Sequence, residues 1–460
     1  MTSKSQQPYS GLRDFPSVEI LSGHVAFSSY YDDLTRPVVV QVVRQTVAAL
    51  KEKFRTGNNT IGETELIKTV VSELDRYRQQ VLQPIINGAG IIIHTNLGRS
   101  PLSEDMIIKA LPAVTGYSNL EYDLSGGRRG KRGLMIERLL ATLCGTESGT
   151  LVNNNAAALF IILNSLANRK EVIISRGELV QIGGGFKIPD IMAKSGARLV
   201  EVGTTNRTSI DDYRQAVTER TRMILKVHRS NFAQVGFVEE TPIKELAELC
   251  RERNIISVHD LGSGLVVFPD QVDISAEPNI AESVHAGADL TCFSGDKLLG
   301  GMQAGLIAGN KELIGRIKKN PLFRTMRCDK LAFAVTAQVL KAYIENRQFE
   351  MIPIWRMITT PVTELKIRGE KILSACPGKD MVLTATQAYL GGGSTPAQSI
   401  DSLAVSMRSK IKVNILAKRF RSYAPPIIGR VENDDFLLDL RSIPSEQDDI
   451  IIEAIKAILE

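Results

Sequence analysis

Histidine, cysteine and tryptophan are scarce in this chain: five His, five Cys and one Trp, with aromatic residues at 5%. The histidines fall at no metal-ligand spacing, so no structural or catalytic metal is expected. Cys144, Cys250, Cys292, Cys328 and Cys376 are scattered, form no CxxC pair and are odd in number, which argues against a disulfide framework. They read as small core hydrophobes. No apolar run reaches membrane-spanning length, and the polar start Met1–Gln7 has no signal-peptide core. A soluble cytoplasmic protein is expected. Repeats and low-complexity segments are absent too. Strong charge of one sign is missing: the formal net charge of +5 permits a nucleic-acid partner without demanding one.

What is present divides into three parts along the 460 residues. Residues 1–85 read as a helical N-terminal region. Arg36–Leu50 repeats apolar residues at helical spacing, Gly57-Asn-Asn59 breaks the run, and Glu63–Leu82 resumes it with Leu66, Val70, Val71 and Leu74 on one face. Lys51, Lys53 and Arg55 at the end of the first helix suit either RNA phosphates or the negative end of the helix dipole. Residues 86–345 alternate short β-branched runs with helical stretches: Ile91–Ile93, Glu171–Ile174, Arg198–Val202, Met223–Val227, Ile255–Val258 and Asp289–Phe293. That rhythm predicts an α/β large domain, a mostly parallel sheet covered by helices. Residues 346–460 read as a small α+β C-terminal domain with a glycine-rich turn at Gly391–Pro396, a strand over Phe436–Ile443 and a closing helix. Ser445 and Asp448 have the spacing of a capping box for that helix.

In such sheets ligands collect beyond the carboxyl ends of the strands. Polar motifs of this chain fall there repeatedly. Leu151–Ala158 is a strand that stops at Asn153, Asn154 and Asn155 and enters an alanine-rich helix, whose exposed N–H groups and dipole suit a phosphate. A plain N-cap is the simpler account of one asparagine, less so of three. Val258–Gly264 places Asp260 at the end of a buried strand, where a carboxylate could keep a pyridine nitrogen protonated. Gly262 would let backbone approach a flat ring; alone, the pair also fits a capping Asp before a turn. Thr291–Gly301 carries Lys297 with Ser294 three residues before it. A buried lysine loses proton affinity, and its neutral amine attacks aldehydes. Ser294 could hold a cofactor phosphate. Serine-x-x-lysine also occurs in unrelated serine enzymes. Phosphate turn, carboxylate and lysine in that order match the large aspartate-aminotransferase-like class, which carries pyridoxal 5′-phosphate (PLP).

Arginines point to a second ligand. Arg99 follows the strand at Ile91–Ile93, Arg129 and Arg132 sit in a basic glycine-rich stretch, and Arg324 and Arg327 are spaced to share one helical face. Their planar forks suit phosphate-like oxyanions, though each alone could be a surface charge or a structural ion pair.

These strings together resemble the bacterial selenocysteine synthase family, the L-seryl-tRNA(Sec) selenium transferases of PLP fold type I. The likeness is carried by His94–Arg99, Leu120–Leu124, Val152–Ala158, Ser175–Val180, Glu201–Thr208, Asp260–Gly264 and Phe293–Gly301. It runs from about residue 84 to 345 and is weaker at both ends. The resemblance implies that Lys297 is the lysine that carries PLP as a Schiff base and Asp296 the acid beside it. It places Arg99, Arg129, Arg132, Arg324 and Arg327 around the active site, where they would bind selenophosphate or phosphate. It further implies a seryl-tRNA(Sec) substrate, tRNA binding by the N-terminal region and a homo-oligomer built as a ring of dimers. Ser125–Gly133 is more basic and glycine-rich than the family pattern, and His259 stands where a threonine can occur, so it receives no catalytic role. Two rivals remain: a PLP-dependent lyase of the same fold acting on a small phosphorylated amino-sugar acid, and a catalytically idle RNA-binding protein on the same scaffold.

Overall fold

A computed structural model describes residues 9, 11–56, 61–182, 185–230, 232, 234–391, 399–409 and 411–459. The breaker at Gly57–Asn59, most of the glycine-rich turn at Gly391–Pro396 and the polar start Met1–Gln7 lie outside the described residues. The chain divides into two compact units, Met1–Pro84 and Ile85–Glu460.

The first unit is helical. Its two long helices are Arg36–Thr56 and Glu63–Arg78. Leu66, Val70 and Leu74 recur at a spacing of four and are fully buried against Val39, Val43 and Val47 of the other helix, with Phe27 in the same core. Residues four apart stand on one face of a helix, which is why this stripe faces the core, with Ile67, Val71 and Tyr77 packed beside it. Lys53 and Arg55 occupy the last turn of the first long helix.

Besides two two-stranded sheets, Tyr122–Asp123 with Arg128–Arg129 and Gln181–Ile182 with Phe186–Lys187, the second unit contains two large sheets among its described residues. The larger has seven strands in the order Ser148–Val152, Gly305–Gly309, Leu290–Ser294, Ile256–Gly262, Thr221–Val227, Glu171–Ser175, Arg198–Val202. Every pairing is parallel except those of Gly305–Gly309, which runs antiparallel to both neighbours. Its interior strands Ile256–Gly262 and Leu290–Ser294 are buried along almost their whole length, which is why they do not alternate between apolar and polar residues. The antiparallel member, Gly305-Leu-Ile-Ala-Gly309, is a strand the sequence pattern did not single out. Two glycines in five residues lower its β signal.

The smaller sheet has six strands in the order Ile86–Gly88, Ile427–Glu432, Asp435–Asp439, Ser399–Met407, Met381–Gly391, Ile91–Ile93. Ile91–Ile93 therefore pairs with Tyr389 and Gly391, not with the parallel sheet with which its sequence grouped it. A three-residue apolar run cannot reveal its partner, because pairing is decided far away in the chain. The helices Val362–Ala375, Val413–Arg421 and Asp448–Leu459 share a core with this sheet. The capping box expected at Ser445 and Asp448 does not form. Ser445 opens a short 3-10 turn, and the α-helix starts at Asp448 itself. Asp448 is taken instead by Arg368, whose Nη2 lies 2.7 Å from Oδ1 and Nε 3.0 Å from Oδ2. A capping box with the expected reciprocal bonds occurs at Ser209 and Asp212. All five cysteines are free and buried. Among the described residues no helix is long and apolar enough to cross a membrane.

Candidate functional site

The strands Ile256–Gly262 and Leu290–Ser294 are neighbours, so Asp260 and Lys297, distant in sequence, are delivered to the same end of the sheet. Lys297 is 7% exposed and Asp260 6%. Burial pushes the Lys297 amine below the ordinary lysine range, and the nearby Arg99 guanidinium pushes the same way; Asp260, Asp296 and Glu277 oppose them. Asp260 is pushed up by burial, against the hydrogen bond from Asn155, the Lys297 charge and the Gly262 N–H. Burial thus biases both groups toward their neutral forms. Asn155 Nδ2 donates to Asp260 Oδ1 at 2.8 Å, which ties the asparagine turn to the carboxylate. Gly262 has φ +65°. A Cβ there would stand 3.9 Å from Lys297 Nζ and 3.7 Å from Ser230 Cβ, in contact with the flank of the amine.

The three asparagines divide their work. Asn154 is the N-cap of helix Asn155–Ala167, its side chain accepting from Ala157 N–H at 2.8 Å. Asn155 turns inward to Asp260. Asn153 is exposed, and its N–H donates to the Met326 carbonyl at 2.9 Å, joining this turn to the segment that precedes Arg327. Gly305 lies against this turn: a Cβ there would fall 2.1 Å from the Asn154 carbonyl oxygen. Ser294 is buried at the end of its strand.

The predicted arginines separate into groups. Arg99 Nη1 reaches both oxygens of Asp296, at 3.2 and 3.1 Å. Ser100 beside it donates its hydroxyl to the Lys297 carbonyl at 2.7 Å, and its own N–H donates to the Asp296 carbonyl. Arg129, Arg132 and Arg327 all meet one carboxylate, Glu121, at 3.1, 2.8 and 3.2 Å. Their positive charge and hydrogen bonds, the Arg132 bond foremost, hold Glu121 below the usual carboxylate range. Arg132 also donates to the Cys328 carbonyl and lies over the Phe333 ring, 5.4 Å from its centroid. Arg324 is exposed in the short 3-10 helix Pro321–Met326. The shared helical face expected for Arg324 and Arg327 is not there. Asn320 caps one short turn and Asp329 caps the next helix, so Arg327 falls in the extended link between them.

The sequence motifs missed Glu121, Ser100 and the pair of His228 and Glu277, whose ring Nε2 and carboxylate are 3.2 Å apart. Glu121 lies inside a string already noted for its resemblance, so the signal was present without a role attached. The residues fit a PLP site: a buried lysine flanked by a left-handed glycine, a buried carboxylate at a strand end, and a capped helix start bound to that carboxylate.

A family model described as L-seryl-tRNA selenium transferase matches residues 85–444. The L-seryl-tRNA(Sec) selenium transferase of Campylobacter fetus subsp. fetus is 40% identical over 444 residues, covering 96% of this chain and 98% of its own. That of Desulfotalea psychrophila is 41% identical over 95% of each chain. That of Aquifex aeolicus is 44% identical over 83% of this chain and 86% of its own. Among solved structures, D-glucosaminate-6-phosphate ammonia-lyase is similar in fold, with a TM-score of 0.60 and 18% identity over 84% of this chain and 98% of that one.

Proposed function

The chain belongs to the L-seryl-tRNA selenium transferase family, and from that premise we propose that it converts seryl-tRNA(Sec) to selenocysteinyl-tRNA(Sec) with pyridoxal 5′-phosphate. The reaction removes the serine hydroxyl by β-elimination and adds selenium from selenophosphate at the same carbon, releasing phosphate. The observation that carries this reading is the Lys297 amine, buried beside Gly262 and within electrostatic reach of the Asn155-bound Asp260.

PLP, when bound, supplies an electron sink for the bond that breaks at the serine α-carbon. Lys297 would hold the cofactor covalently. Once its amine is free, the lowered proton affinity suits it to remove the α-proton as a general base. Asp260 would hold the proton on the pyridine nitrogen, and Asn155 keeps that carboxylate in place. Asn153, Asn154 and Ser294 would hold the cofactor phosphate, helped by the N–H groups at the start of helix Asn155–Ala167. Asp296 orients Arg99 through its two-oxygen contact. Arg99, Arg129, Arg132, Arg324 and Arg327 would bind the selenophosphate oxyanion and keep water from the reacting carbon. The helical unit Met1–Pro84 would bind tRNA, with Lys51, Lys53 and Arg55 at the end of its first long helix offered to phosphates. A ring of dimers would complete each site with a neighbour's cations, and a tRNA substrate would fit work in the cytoplasm. No observation favours the amino-sugar lyase, since its likeness extends to fold alone.

The test is incubation of the purified protein with PLP, serine-charged tRNA and selenophosphate, followed by identification of the amino acid on the tRNA. Selenocysteine is expected; unchanged serine would overturn the proposal.

A further inference from the structure

Glu121 stands at the base of the two-stranded hairpin Tyr122–Asp123 and Arg128–Arg129, held by the Gly130 N–H bond to its carbonyl at 2.9 Å. Its carboxylate is the shared acceptor of Arg129 and Arg132, from the hairpin side, and of Arg327, from the link before helix Lys330–Ile344. Three guanidinium groups from two separate segments converge on one planar anion. The carboxylate does not use up their donors. Arg132 Nε and Arg327 Nε are buried and have no hydrogen-bond acceptor among the described residues. A buried N–H of a charged group left without an acceptor is costly. A carboxylate has only two oxygens to offer such a cluster. A tetrahedral oxyanion brings more acceptor atoms and a second negative charge, and so can reach donors that Glu121 leaves idle. The Glu121 side chain is 29% exposed, so it has solvent to move into.

We propose that Glu121 is a built-in occupant of the oxyanion site: it fills the cluster of Arg129, Arg132 and Arg327 in the absence of ligand, and a small tetrahedral oxyanion displaces it to bind. This rests on the proposed role of those arginines. Glu121 then sets specificity as well as holding the empty site together. A monoanion must compete with the carboxylate at equal charge and gains little, whereas a dianion gains both charge and contacts. The cluster stays gathered between turnovers, because three like charges without a counter-ion repel one another. The lowered proton affinity of Glu121 agrees with a carboxylate that remains ionised throughout the physiological range.

A carboxylate that served only as a strut and never left the cluster would behave in the opposite way, since removing its charge would then weaken every ligand. The experiment measures inorganic phosphate binding by calorimetry to the full-length wild type, Glu121→Gln, Glu121→Ala, Arg132→Ala and Arg327→Ala, and binding of uncharged tRNA to the same proteins. Both Glu121 variants are expected to bind phosphate at least tenfold more tightly, with tRNA affinity within twofold of wild type. Phosphate affinity that is unchanged or weaker in both, while Arg132→Ala and Arg327→Ala lose phosphate, overturns the role of Glu121 and leaves the arginine site standing. Phosphate binding indifferent to both arginine variants overturns the site itself and this proposal with it. Tighter tRNA without tighter phosphate also overturns it, because the displacing oxyanion would then be the nucleic-acid backbone. Thermal melting confirms that each variant is folded, and the alanine variant reads the same direction if glutamine retains the contacts.

Discussion

Replacing Gly262 with alanine separates the cost to the fold from the cost to the site. The backbone there has φ +65°, where an L side chain is strained by roughly 1–2 kcal/mol. The lost freedom of the unfolded chain returns about 0.4–1 kcal/mol, so the net penalty is about 1 kcal/mol. No clash adds to it: the new Cβ would meet Ser230 Cβ at 3.7 Å, Ser230 Oγ at 3.8 Å and Lys297 Nζ at 3.9 Å, all ordinary contacts. At about 2 cal/mol/K per residue over the roughly 380 residues of the unit Ile85–Glu460, 1 kcal/mol lowers the Tm by only about 1–2 °C. The cofactor fares differently. The methyl group takes up the flank of the amine, and any ligand atom joined to Nζ must share that space. Overpacking of about 1–3 kcal/mol corresponds to roughly 5- to 150-fold weaker binding. Differential scanning fluorimetry and equilibrium dialysis with PLP measure the two effects on one sample. PLP affinity equal to wild type would refute the placement of the cofactor against Gly262, and a Tm loss beyond about 5 °C would refute the absence of a clash.

Lys297→Met should leave the cofactor-free protein more stable than wild type at neutral pH, because methionine fills the space without a charge to desolvate. The folded-state proton affinity of Lys297 is lowered, so between its folded and unfolded values the unfolded chain binds more protons and wild-type stability rises with pH. The Tm gap between the two proteins should therefore narrow as pH approaches 10, and a gap independent of pH would count against the burial argument. Ser100→Ala removes the 2.7 Å hydrogen bond to the Lys297 carbonyl and should cost about 1 kcal/mol in urea denaturation, since the Gly300 N–H still serves that oxygen. No loss would mean that the bond contributes nothing. Gly305→Ala drives a Cβ to 2.1 Å from the Asn154 carbonyl oxygen and 2.4 Å from its carbon, backbone atoms that cannot swing aside. A loss of about 3 kcal/mol or more is expected in the same assay; a wild-type midpoint would show that the asparagine turn is not pressed against that strand.

Much of the candidate site was legible because its residues stand in local strings. Lys297 and Asp260 each end an apolar run that a buried strand needs, and a polar group there has only the sheet end to face. The asparagine turn was equally visible, but its division of labour was not. Asn154 caps its own helix, a local act, whereas Asn155 reaches a residue 105 positions away. Arg324 and Arg327 were misread because a spacing of three suggests a helix, and the caps at Asn320 and Asp329 override it. The capping box at Ser445 failed for a like reason: Arg368 claims Asp448 from another helix. Local pattern names candidates, and competition for hydrogen bonds selects among them.

By itself the sequence determined the alternation of strands and helices, the apolar stripe of the N-terminal helices and the identities of lysine, carboxylate and arginines. Those properties follow from periodicity and side-chain chemistry, which each residue carries wherever it lies. Tertiary structure alone decided that Ile91–Ile93 joins the C-terminal sheet, that Gly305–Gly309 runs antiparallel within the large one, and that three arginines share Glu121. Each of those depends on which segments meet in space, and neither strand pairing nor charge pairing leaves a mark in the residues before they meet.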